Sequence, residues 1–151
     1  MNPTLQYLTV IRSNMLKAAE SLSLEQICTI PTGFNNSILW NLGHVLVTQQ
    51  LLVYKLADMP LFVEQDLVDR YRKGTSPDHR NNAEDWYYIK DNLVPIAELM
   101  RHDLKQQVFK TYTTYETSFG ITLKDAFEAS LFNNLHESMH LGCIQSLKKF
   151  V

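Results

Sequence analysis

The chain has 151 residues, enough for one domain, and 14 Lys and Arg against 16 Asp and Glu give a formal net charge of −2. So even a balance provides no broad basic surface for a phosphate backbone, which excludes nucleic-acid binding as the main activity. With 45% hydrophobic and 20% charged residues the chain can bury a sizeable core and is not a disordered segment.

No stretch approaches the ~18 apolar residues of a membrane span; Leu51, Leu52 and Val53 are followed almost at once by Lys55. Met1-Asn2-Pro3-Thr4 has neither a basic nor a long apolar region, so no secretory signal is expected. Cys28 and Cys143 form no CxxC pair, and a reducing cytoplasm is the expected compartment.

Helical periodicity dominates from the start. Asn2 and Pro3 suit an N-cap and first helical position, and Leu8, Ile11, Met15, Ala18 and Leu22 then recur every three or four residues. Residues 23–36 read as a loop, with Pro31, Gly33 and two asparagines in its second part. Asn36 or Ser37 caps a second helix reaching about Ala57, with Leu39, Leu42, Leu46, Val53 and Leu56 on its stripe. Pro60, Gly74 and Pro77 punctuate 58–82, around a short helix from about Val63 to Arg72. A third long helix, capped by Asn82, runs from about Ala83 to Gln107 and should kink at Pro95. Thr and Tyr nearly alternate over 110–121, but a single strand would lack a partner, so an extended connection is expected. Thr122-Leu123-Lys124-Asp125 resembles a capping-box start for a last helix ending near Phe150. Four long helices without internal repeats imply an all-α bundle, and its long loops imply irregular connectivity.

The histidines carry the chemistry. His79 in a polar loop and His102 between Arg101 and Asp103 read as surface residues. His136 and His140 lie four residues apart on one helix, only about 40° apart in direction, so both rings can face one ion. Buried imidazoles need polar partners, and a metal ion or hydrogen bonds would both serve. The pair completes His136-Glu137-Ser138-Met139-His140, a literal H-E-x-x-H. A metalloprotease needs a further ligand downstream, and the eleven residues after His140 contain no His, Asp or Glu. A third ligand must then come from upstream. His44 is the best candidate, on a helix face shared with Ser37, Trp40, Thr48 and Leu51. Three imidazoles would leave open coordination positions for water or substrate.

The segments Ser37-Ile38-Leu39-Trp40-Asn41-Leu42-Gly43-His44-Val45-Leu46 and His136-Glu137-Ser138-Met139-His140-Leu141-Gly142-Cys143-Ile144 together resemble DinB/YfiT-type proteins of the metal-dependent hydrolase superfamily. The first is similar to the family's Trp-x-x-x-His helix, the second to its final His-Glu-x-x-His-x-Gly-Gln-Ile helix. Helix order and length fit across essentially the whole chain. The resemblance implies a four-helix bundle with non-sequential connectivity and one divalent metal ion, zinc or nickel, on His44, His136 and His140. It further implies a small-molecule substrate, a homodimer, and a low-molecular-weight thiol cosubstrate, since relatives include transferases and isomerases that use bacillithiol, mycothiol or glutathione. Where the family has Gln this chain has Cys143, about 20° from His136 in direction, which makes it a candidate fourth ligand.

Two classes of function remain. One is a metal-dependent enzyme, an S-transferase or isomerase or, less favoured, a hydrolase, with Glu137 as proton acceptor and Trp40 walling the pocket or packed in the core. The other is a non-catalytic, metal-stabilised bundle or stress-response binding protein. The fourth coordination position discriminates them.

Overall fold

The computed structural model describes residues 4–78 and 82–151, so His79 and the Asn2-Pro3 start lie outside the described residues. The described chain is mostly helical. α1 spans Thr4–Glu20, α2 Leu24–Cys28, α3 Ile38–Gln49, α4 Gln65–Tyr71, α5 Asn82–Gln106 and α6 Ala126–Leu147. Strands β1 (Tyr115–Glu116) and β2 (Thr122–Leu123) pair antiparallel, Tyr115 opposite Leu123. No described helix is long and apolar enough to cross a membrane.

α1 and α3 each pack against both α5 and α6. α3 is buried on almost every side, from Ile38 to Val47, as expected for a helix that is apolar all round. Ser37 caps it by accepting from the Trp40 amide. The helical path beyond Gln49 is not uniform: Gln50–Tyr54 forms a π-helical turn and Lys55–Ala57 a 3₁₀ turn, ending on Asp58 in the left-handed region. This irregular end leaves carbonyls for the connection after α5. Thr113 N–H donates to Leu56 O, Tyr112 Oη to Leu52 O and Thr111 Oγ1 to Ala57 O.

Three expectations are corrected. The loop at 23–36 contains α2, which Ser23 and Gln26 start with a reciprocal capping box. The extended connection contains a hairpin, because Thr122 and Leu123 supply the partner strand. α6 therefore begins later than Thr122, capped by Asp125, which accepts from the Glu128 amide. As the sequence predicts, α5 is one helix with Pro95 inside it. Two residues before that proline, Leu93 O accepts from Arg12 Nη1 at 2.6 Å, an external partner near the interrupted ladder.

Candidate metal centre

α3 and α6 face each other with His44 on one and His136 and His140 on the other, four residues apart on one side of the helix. One ring nitrogen from each lies within 4.8 Å of the others, and the three rings are nearly or fully buried. Ring centroids are 4.6 Å apart for His136–His140, 4.9 Å for His44–His140 and 5.3 Å for His44–His136.

Hydrogen bonding decides which nitrogens are bare. His44 Nδ1 lies 2.8 Å from Tyr71 O, and a carbonyl only accepts, so Nδ1 carries the proton and Nε2 a lone pair. Asn41 Nδ2 donates to Ser37 O at 2.8 Å, which turns its Oδ1 toward His140. His140 Nδ1 must then donate to Asn41 Oδ1, at 2.7 Å, which leaves its Nε2 bare as well. His140 Nε2 and His136 Nε2 are 3.2 Å apart, while His136 Nδ1 is buried without a partner. Tetrahedral ligation with metal–nitrogen bonds of 2.0–2.1 Å puts ligand nitrogens about 3.3 Å apart, which fits that pair.

The donor set is neutral. Burial holds His136 down to about 4 and His140 to about 3, helped by neighbouring imidazoles. Burial also lowers His44, against its bond to Tyr71 O, and Lys73 adds to the lowering. Imidazoles must be unprotonated to bind a cation, so these three are ready at neutral pH and could hold a metal ion.

Partners outside the triad set its geometry. Trp40 stacks on His44, with centroids 4.6 Å and planes 10° apart, and donates Nε1 to Thr75 Oγ1 at 3.1 Å. It is both core and wall. Gly43 is where Tyr71 crosses α3: a Cβ there would lie 2.3 Å from the Tyr71 ring. Tyr71 Oη donates to Asp85 at 2.7 Å, and Arg70 holds the same carboxylate at 3.0 and 2.6 Å. α4 is thereby fixed to α5, with its last carbonyl, Tyr71 O, delivered to His44.

A cavity of about 260 Å³ opens beside His44 and His136. Its walls are mainly Leu51, Leu52, Leu56 and Phe132, with Thr48 beside His44 and the hairpin across one side. Thr48 Oγ1 donates to the bare His44 Nε2 at 3.3 Å. The hairpin is pinned by Phe119, whose ring meets Phe132 edge-on at 5.4 Å.

Two candidate residues lie elsewhere. Cys143 is exposed, among Gly33, Phe34 and Asn35 in a separate groove, and is not part of the histidine group. It sits two turns beyond His136, where the neighbouring chain is the loop before α3 rather than His44. Glu137 is fully buried on another side of α6. Arg12 Nε and Nη2 donate to its two oxygens at 2.9 and 2.7 Å, and Asn133 Nδ2 donates to Oε1 at 2.8 Å. His102 is exposed, as expected.

Asn41, Tyr71 and Arg12 escaped the sequence reading. The signal for Arg12 was present: Leu8, Arg12, Met15 and Ala19 form the buried stripe of α1, and a charge on such a stripe requires a buried partner. The Tyr71 contact runs through a backbone carbonyl and left no trace in side-chain pattern.

A helical protein with three converging histidines at the junction of two helices is the class defined by this fold and site. The family model of the DinB superfamily matches residues 7–144, and the chain belongs to that superfamily. Comparison with curated proteins finds no match.

Proposed function

We propose that His44, His136 and His140 hold one divalent metal ion, zinc or nickel, and that the chain is a metal-dependent enzyme using a low-molecular-weight thiol, of the S-transferase or isomerase type. The observation that carries this reading is the convergence of His44 and His140, each with Nδ1 held by Tyr71 O or Asn41 Oδ1 and Nε2 left with a lone pair, on His136 within 4.8 Å. A bound ion would supply Lewis acidity and lower the pKa of a thiol brought to it. The chain's own part is to orient the imidazoles, keep the ion's charge uncompensated and keep a cavity beside it. No carboxylate or thiol among the described residues joins the three histidines, which supports an open position filled from outside. That disfavours the metal-stabilised structural module. Both Glu137 oxygens are engaged by Arg12, so the transferase and the hydrolase readings alike lack Glu137 as proton acceptor.

The same reading includes a small-molecule substrate, a homodimer, and the family's four-helix bundle. Contacts of α1 and α3 with both α5 and α6 support a bundle in which α1 lies diagonal to α3, and α5 to α6. The test is spectroscopic. Adding a small thiol to cobalt-substituted protein should produce a sulfur-to-metal charge-transfer band, absent in His44→Ala. A band present before any thiol is added, and lost in Cys143→Ala, overturns the open site.

A further inference from the structure

The cavity beside the histidines carries charge that the metal reading does not use. His44, Thr48, Leu51 and Lys55 line it at spacings of four, three and four residues along one helical run. Eleven residues separate His44 from Lys55, about 16 Å at the rise of an ideal helix. Lys73, two residues after the Tyr71 whose carbonyl meets His44, lines the cavity too. Neither lysine has a carboxylate or side-chain hydrogen-bond partner among the described residues. Among the described residues no acidic side chain lines the cavity, and Leu51, Leu52, Leu56 and Phe132 supply its apolar wall. The lining thus combines two ammonium groups with apolar walls.

We propose that this cavity binds an elongated amphiphile whose reactive end meets the histidines, whose middle is apolar, and whose far end carries an anionic group held by Lys55. The inference rests on the proposed function for the reactive end only; the anion-selecting role of Lys55 stands on the cavity itself. Apolar walls select the middle of such a ligand by area, without direction. The histidine centre at one end and the Lys55 ammonium away from it then fix which way round it lies. Lys73, beside the histidines, raises the potential there and favours an anionic form of the reactive group. A neutral ligand of the same length would lose the Lys55 contact and keep the rest. Because Lys55 is exposed, the discrimination is moderate and weakens with salt.

Two probe pairs test this. On metal-loaded protein, 6-mercaptohexanoate should bind about threefold to tenfold more tightly than 6-mercaptohexanol by calorimetry at low salt, and Lys55→Met should erase the difference while leaving the neutral thiol's affinity unchanged. On metal-free protein, hexanoate should shift the amide resonances of Thr48, Leu51 and Lys55 at lower concentration than hexanol, again only with Lys55 present. If the thiols fail to bind but hexanoate keeps its Lys55-dependent advantage, the thiol reading falls and the present one stands. Equal affinities within both pairs, or a preference that survives in Lys55→Met, overturn it.

Discussion

Arg12 and Glu137 are joined by two hydrogen bonds, of 2.9 and 2.7 Å, with neither side chain exposed to solvent. Arg12 also reaches Leu93 O at 2.6 Å, so one guanidinium ties α1 to α6 and α5 together. A buried pair with such partners acts as an anchor, and removing one member strands the other's charge. Glu137→Ala should therefore lower stability by about 3–5 kcal/mol in urea denaturation. Arg12→Met with Glu137→Leu should cost much less than either single change, because no charge remains. Under conditions where Glu137→Gln is folded, it should bind cobalt with an unaltered spectrum. A selective loss of metal in that variant would return Glu137 to the site.

Metal content is expected to depend on all three histidines. His136→Ala or His140→Ala should remove most bound metal by elemental analysis, and Cys143→Ser should remove none, since that thiol faces another groove. Unchanged metal in the His136, His140 double variant would show that the ion sits elsewhere.

Asn41 and Gly43 act on the same centre from outside it. Asn41→Ala deletes the acceptor that fixes the His140 tautomer, and metal affinity should fall about 10- to 100-fold in a chelator competition. Gly43→Ala forces the Tyr71 ring away from α3 and should cost about 1–3 kcal/mol in stability along with some affinity. An Asn41→Ala protein with wild-type affinity would mean that the ring is oriented by packing alone.

Acid should weaken the metal-free protein in a defined window. His136 and His140 protonate near their ordinary value of 6.5 when unfolded, but at about 4 and about 3 when folded. Between those values the unfolded chain binds more protons, so stability is full above about pH 6.5 and declines as pH falls toward 4 and below. Replacing both residues with Gln should flatten that decline, as read from urea midpoints at successive pH values. A slope equal to the parent's would assign acid sensitivity to other groups.

Removing the ion should not unfold the chain. The buried stripes of α1, α3, α5 and α6 contain many fully buried Leu, Ile and Val side chains, worth about 1.5–3 kcal/mol each. A chelator should leave the far-ultraviolet circular dichroism intact and lower the melting temperature by the linkage of bound metal only. Loss of the helical signal would make the site structural.

Much of this was legible from residue spacing. The long helices announced themselves through apolar period and caps such as Ser37, and His136 and His140 through their four-residue interval. His44 was harder, since nothing local distinguishes a ligand from a buried histidine; its partner lies ninety-two residues downstream of it, at His136. Glu137 misled because a linear motif does not say which side of a helix a residue occupies. A 100° step turned it from the cluster toward Arg12. Cys143 misled differently: its direction matched His136, but the chain opposite changes along the helix. The hairpin was hidden because two-residue strands carry too little pattern to read.

The division between α-helical frame and hairpin has a consequence for how this protein could be altered. The candidate ligands come only from α3 and α6, and their orienting partners from α3 and α4, whereas Tyr115, Thr117 and Ser118 close the cavity from a short ribbon that supplies none of them. Surface ribbons tolerate exchange that packed helices do not. Exchanging residues 114–121 should therefore change the lining of the cavity while the three imidazoles, held by packed helices, stay where they are.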